Sequence, residues 1–138
     1  MRLPIRNTMT AKLIIVFLLV TGSFIHMNAQ KAGYKNVGAV EFKSMMEKKK
    51  GVLIDLRTPD EIKKGKIKGA EEFDFFAADA ESKIIKLDKK KTYYIYCAGG
   101  GRSGDCAELM VKNGFKNIVN LEKGFSDWKK AGFEIETK

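Results

Sequence analysis

The sequence predicts an α/β domain with a central parallel sheet flanked by helices, preceded by an N-terminal signal peptide. Three observations carry this reading. Short apolar runs rich in β-branched and aromatic residues, at 52–56, 92–96 and 117–121, alternate with helical patterns, as in α/β proteins. The helical patterns at 37–50 and 103–113 are stopped by Gly51 and Gly114. At the start, Arg2, Arg6 and Lys12 precede the uncharged run from Leu13 to Val20, the pattern of an export signal.

The apolar run at 13–20 matches a signal-peptide core and falls short of the ~20 residues a spanning helix needs. Cleavage is expected after Ala29, which divides the chain into a signal peptide at 1–29 and one globular domain at 30–138. Met27 is not the small residue preferred two positions earlier, so an uncleaved N-terminal anchor is the alternative. No cysteine lies near the junction to carry a lipid. The expected location is periplasmic or secreted, with membrane contact only through an uncleaved segment.

Within 37–50, Val40, Phe42, Met45 and Met46 lie among good helix formers and predict an amphipathic helix. The run Val52-Leu53-Ile54-Asp55-Leu56 predicts a buried strand, and Thr58-Pro59 a short helix with a capping threonine and proline in its first turn. A turn-rich basic stretch at 65–69 leads into one or two helical segments at 73–87. Thr92-Tyr93-Tyr94-Ile95-Tyr96 predicts a strand that ends directly at Cys97. A helix at 103–113, a strand at 117–121 and a final helix at 125–130 complete the chain. No repeat, low-complexity tract or linker divides 30–138.

The formal charge is +9, and loss of residues 1–29 removes three positive charges and no negative ones, leaving +6. The lysines are scattered and lack interleaved aromatics, which points to a solvated basic surface and away from a nucleic-acid platform. His26 is the one histidine and falls inside the signal segment. The mature domain then has none, which excludes Cys-His and Ser-His catalysis. With two cysteines and no imidazole, neither a metal nor a cofactor is expected.

The chemistry concentrates in the loop Cys97-Ala98-Gly99-Gly100-Gly101-Arg102, at a strand's carboxyl end where parallel sheets place their ligand sites. Glycines let successive backbone N–H groups turn inward, and the following helix adds its positive N-terminus. Arg102 contributes a permanent cation. Such a field favours thiolate over thiol, so Cys97 is a candidate nucleophile that needs no separate base. Arg102 is its candidate catalytic partner, and Ala98, Gly99, Gly100, Gly101, Arg102 and Ser103 are the candidate substrate-binding residues.

This loop resembles the active-site loop of rhodanese-like domains, and the likeness extends along the chain. Ile54-Asp55-Leu56-Arg57-Thr58-Pro59-Asp60-Glu61, Gly65-Lys66-Ile67-Lys68-Gly69-Ala70 and Gly124-Phe125-Ser126-Asp127-Trp128 stand in the family's order and spacing, over roughly 37–135. The resemblance implies a single rhodanese-like domain that transfers sulfane sulfur through a Cys97 persulfide. The donor would be a small anion such as thiosulfate or a persulfide, and the acceptor a thiol, cyanide or a protein. The alternative is a module that carries persulfide for a protein partner, or that only binds anions. Four residues separate Cys97 from Arg102, one fewer than in the related cell-cycle phosphatases, which argues against phosphate or arsenate chemistry.

Lys66 and Lys68 stand where the family commonly has His and Pro, and neither is assigned a catalytic role. Asp55 and Arg57 are read as a structural brace near the site, and Trp128 as a core anchor. Cys106 has two readings: a small buried hydrophobe, or a thiol that resolves an oxidised Cys97.

Overall fold

A computed structural model describes residues 33–137, so the proposed signal segment lies outside the described residues. Five strands run in the order β1-β5-β4-β2-β3, with every neighbouring pair parallel. They are β1 (Lys35–Val37), β2 (Val52–Asp55), β3 (Glu71–Glu72), β4 (Tyr93–Tyr96) and β5 (Ile118–Leu121). The helices are α1 (Ala39–Lys48), α2 (Pro59–Ile62), α3 (Ala80–Ile85), α4 (Gly101–Lys112) and α5 (Gly124–Lys130). No helix among the described residues is long and apolar enough to cross a membrane.

The central strand β4 is buried on both faces, and its alternation sorts the core in two. Tyr93 and Ile95 join Ile54, Leu56, Ile84, Met110 and Phe115 beneath α3 and α4. Tyr94 and Tyr96 join Phe42, Val119, Leu121, Phe125 and Trp128 beneath α1 and α5. Trp128 stacks edge-on against Phe42 and Phe133 and donates to the Glu134 carbonyl at 3.0 Å, which anchors α5.

Two edge strands depart from the sequence expectation. Residues 35–37 form β1, where the pattern assigns 35 and 36 to no element and Val37 to the start of a helix, and Glu71–Glu72 form β3 where no strand was expected. The segment 73–87 holds one six-residue helix, α3, preceded by turns. Helix α4 begins at Gly101 instead of Ser103, so Arg102 lies in its first turn.

This topology locates the site. From β2 the chain moves outward to β3, whereas from β4 it moves the opposite way to β5, so the crevice opens between the carboxyl ends of β2 and β4. Asp55, Leu56 and Arg57 leave one lip and Cys97 leaves the other. The lips are tied by the Leu56 N–H donating to the Tyr96 carbonyl at 2.9 Å.

Candidate functional site

Cys97 follows β4 without a gap, and its side chain turns into the core face, leaving the residue 1% exposed. The chain then curls through Ala98, Gly99 and Gly100 into α4. Gly100 adopts φ +104, and a Cβ there would lie 1.8 Å from the Glu122 carbonyl, so only glycine closes the curl. Gly124 has φ +62 and packs so closely that a Cβ would lie 2.5 Å from the Cys97 carbonyl. That approach lets Phe125 N–H donate to the Cys97 carbonyl at 2.7 Å and Ser126 N–H to the Ala98 carbonyl at 3.1 Å. The start of α5 therefore clamps the start of the loop.

The curl brings the Gly100 N–H to 3.1 Å from Cys97 Sγ. Ser103, in the first turn of α4 and fully buried, sets its hydroxyl 3.5 Å from the same sulfur and 3.2 Å from the Gly100 carbonyl. Its single proton serves either acceptor and turns to the sulfur when that is anionic. Burial pushes the Cys97 thiol up, but donation from the Ser103 hydroxyl and from the amides of Ser103, Gly100 and Gly99 outweighs it. The net shift is downward from the ordinary thiol value. The sequence analysis expects this effect from the loop amides, the helix N-terminus and Arg102 together; the structure brings the amides to the sulfur and adds the Ser103 hydroxyl.

Arg102 is held by Glu61, a partner that sequence reading treated only as part of a helix start. Its Nη1 and Nη2 donate to Glu61 Oε2 at 2.8 Å and Oε1 at 2.7 Å, a two-pronged ion pair. The same carboxylate closes the capping box of α2, accepting from Thr58 N–H at 2.9 Å and the Thr58 hydroxyl at 3.0 Å. The Arg102 pair, set against a smaller cost of burial, holds Glu61 down at about 2. Arg102 also lies 5.2 Å from the ring of Phe76, which is 69% exposed at the rim. The Thr-x-x-Glu spacing was a visible signal for the cap; nothing local linked Glu61 to Arg102.

Asp55 and Arg57 form a buried brace beneath the lips. Arg57 Nη2 donates to Asp55 Oδ2 at 2.7 Å and to the Gly65 carbonyl at 2.8 Å, while its Nε donates to Asp55 Oδ1 at 2.9 Å. The Tyr96 hydroxyl donates to Asp55 Oδ2 and accepts from the Ile67 N–H at 3.1 Å. Lys66 pairs with Glu72 at 2.9 Å and donates to the Ala70 carbonyl, and Lys68 is exposed.

Cys106 is buried in the α4 face of the core, and burial together with the nearby Cys97 charge pushes its thiol up to about 12. Both cysteines are free. A thiol so shifted stays protonated near neutral pH and packs as a small hydrophobe.

The arrangement is a buried cysteine sulfur facing amide and hydroxyl donors at the start of a four-residue curl, with an arginine fixed at its far end. Comparison with known proteins agrees with this geometry. The model for the rhodanese-like domain matches residues 38–131. The uncharacterized protein YqhL of Bacillus subtilis is 33% identical over 128 residues, covering 90% of this chain and 96% of that protein. The thiosulfate sulfurtransferase GlpE of Coxiella burnetii is 30% identical over 96 residues, covering 70% of this chain and 88% of that one. Among solved structures, a rhodanese-like domain protein from Staphylococcus aureus superposes with a TM-score of 0.63 at 31% identity, over 75% of this chain and 98% of that one. With the family model matching residues 38–131, and with its fold and the greater part of its length shared with these proteins, the chain belongs to the rhodanese-like domain family.

Proposed function

We propose that the protein is a sulfurtransferase in which Cys97 carries a sulfane sulfur between an anionic donor and a nucleophilic acceptor. The observation that carries the reading is the Cys97 sulfur itself, facing the Gly100 N–H and the Ser103 hydroxyl with its pKa lowered. With thiosulfate, the Cys97 thiolate attacks the outer sulfur, a new S–S bond forms, the bond to the sulfonate sulfur breaks and sulfite leaves with its electron pair. The outer sulfur of the persulfide then occupies the field of the loop donors. An acceptor nucleophile bonds to that sulfur, and the electron pair of the broken S–S bond returns to Cys97 as thiolate. Arg102, fixed by Glu61, sets the positive edge past which the donor enters.

The test is mass spectrometry of the protein after incubation with thiosulfate, then with cyanide. The expected result is gain of one sulfur atom and its release as thiocyanate. A second reading is a module that exchanges persulfide with a protein partner, to which Phe76, exposed beside Arg102, offers a single apolar contact. A folded protein with free thiols that accepts sulfur from no small donor would establish that reading in place of the first.

Because sulfur uptake requires the thiolate, its rate rises with pH through the Cys97 pKa. The midpoint is expected below about 8.5, the value of a free thiol. Ser103→Ala removes a donor that favours the charged form, so the midpoint moves upward and uptake at acid pH slows most. A stopped-flow pH profile of the two proteins checks both the direction and the role of Ser103.

We also propose that residues 1–29 direct export, on the strength of the charged start and the apolar run at 13–20. N-terminal sequencing of protein recovered from the native cell envelope is expected to begin at Gln30. Soluble cytoplasmic protein that still begins at Met1 would overturn the export reading, and envelope protein beginning at Met1 would indicate an anchor.

A further inference from the structure

Beside the Ala98 end of the cysteine loop lies a cavity of about 240 Å³. Its lining includes Arg57, Lys64 and Lys129, with Glu61, the Ala98 end of the loop and the Phe125 ring. The charges do not cancel. Glu61 is occupied by Arg102 and Thr58, and Arg57 is balanced by Asp55. Asp60, the nearest other carboxylate on α2, pairs with Lys63 at 2.8 Å. Lys64 spends its backbone N–H on the Glu61 carbonyl at 3.3 Å, and its exposed ammonium acts on Asp60 only at a distance, while the Lys129 ammonium lies 5.4 Å from the Phe125 ring. Two positive charges therefore face a small cavity with an apolar wall.

Arg57 adds a directed donor. Three of its hydrogen-bonding directions are spent inside the brace, through Nε and Nη2. Its Nη1 makes only a long contact of 3.5 Å to the Glu61 carbonyl, at the limit of a hydrogen bond, although the residue is 3% exposed. A buried guanidinium nitrogen with unspent N–H capacity, in a cavity with two lysines, is an oxyanion partner.

The volume lies below the ~300–1,000 Å³ of pockets for drug-sized ligands, so the occupant is a short group and not an extended cofactor. The clamp between α5 and the loop, through the Phe125 and Ser126 amides, holds this cavity rigidly beside the residue that follows Cys97.

We propose that this cavity is a subsite for the carboxylate of a small organic thiol, engaged as the acceptor or, in persulfide form, as the donor. The idea rests on the sulfurtransferase reading. The carboxylate binds Arg57 Nη1 between Lys64 and Lys129, its short carbon chain lies on Phe125 and Ala98, and its sulfur reaches the loop. In the acceptor direction, the thiolate bonds to the outer persulfide sulfur while the Cys97 S–S bond breaks, giving an organic persulfide and the Cys97 thiolate. The donor direction is the reverse, with no net oxidation.

The full chain, loaded with thiosulfate and freed of excess donor, is mixed with 3-mercaptopropionate or 2-mercaptoethanol, and persulfide loss is followed by mass spectrometry. Per thiolate, the carboxylate thiol is expected to unload the protein about tenfold faster, a modest case of electrostatic focusing in a charged cleft. Lys64→Glu combined with Lys129→Glu should bring that ratio to about one or below, and added salt should compress it. Both lysines are exposed, so the fold is not at risk. Loading from the two organic persulfides forms the second arm: a preference there, and not in unloading, identifies the carboxylate compound as donor. A ratio near one in both arms, or one unmoved in the double variant, overturns the subsite. To separate this from failure of the sulfurtransferase reading, 3-(methylthio)propionate, which cannot accept sulfur, is titrated into the unloaded protein. Shifts of the Ala98, Phe125 and Ser126 amides are expected by NMR, and their absence overturns the subsite whether or not Cys97 loads.

Discussion

Cys97→Ser is expected to abolish sulfur uptake and thiocyanate formation, while Cys106→Ser retains both. The two cysteines differ in surroundings, not in burial, since each is 1% exposed. Cys97 receives the Gly100 N–H and the Ser103 hydroxyl, which together with neighbouring amides overcome the cost of burial. Cys106 has burial without such donors, and the Cys97 charge pushes its thiol the same way. A serine at 97 would remain un-ionised near neutral pH and cannot form a persulfide. Its turnover is expected to fall by at least about 10⁴-fold, the scale on which loss of a nucleophile is felt. Mass spectrometry and thiocyanate release read the two events separately. Sulfur uptake by the Cys97→Ser protein would mean that the nucleophile is elsewhere.

The features legible in the sequence are those written in contiguous residues. The run at 92–96 is rich in β-branched and aromatic residues and buried on both faces, so strand β4 and the cysteine at its end could be read directly. The Thr58-Pro59 start of α2 was legible for the same reason, since a cap is a local event. Strands β1 and β3 were not legible, because Lys35, Asn36, Glu71 and Glu72 are exposed edge positions with no apolar alternation to mark them. Their strand character comes from pairing with β5 and β2. The segment 73–87 contains enough apolar residues for a helix, yet Phe73 and Phe75 pack on the core from turns, and only Ala80–Ile85 is helical.

The site divides in the same way. Cys97, the glycine curl and Arg102 were legible because they are consecutive. Glu61 reaches Arg102 across 41 positions of sequence, an ion pair that exists only because β2 and β4 are neighbours in the sheet. Ser103 was legible as a candidate binding residue at the start of the helix, but its hydroxyl becomes a sulfur donor because α4 starts two residues earlier and turns it inward. Lys64 and Lys129 carry no local signal at all, since each belongs to an ordinary basic surface stretch.

Asp55→Ala is expected to destabilise the domain by about 3–5 kcal/mol, the cost of leaving one member of a buried ion pair unpaired. Asp55 is fully buried and accepts from the Arg57 amide at 3.0 Å, from Arg57 Nε and Nη2, and from the Tyr96 hydroxyl. Alanine would strand a guanidinium that is 3% exposed, together with a buried phenol whose other bond, from the Ile67 N–H, holds the 65–70 turn. Against a total stability of about 5–15 kcal/mol this is a large fraction, and it corresponds to a fall in Tm of at least about 12 °C for a domain of this size. The loss comes mainly from the uncompensated charge, so adding Arg57→Met to Asp55→Ala should recover part of it. Arg57→Met alone should cost less than Asp55→Ala, because it removes the cation and leaves Asp55 with the Tyr96 hydroxyl and its own-loop amide as donors. Urea unfolding of the wild type, both single variants and the pair gives the coupling directly. An Asp55→Ala protein within about 1 kcal/mol of wild type, or a double variant weaker than the sum of the singles, would show that the brace does not hold the lips of the crevice together.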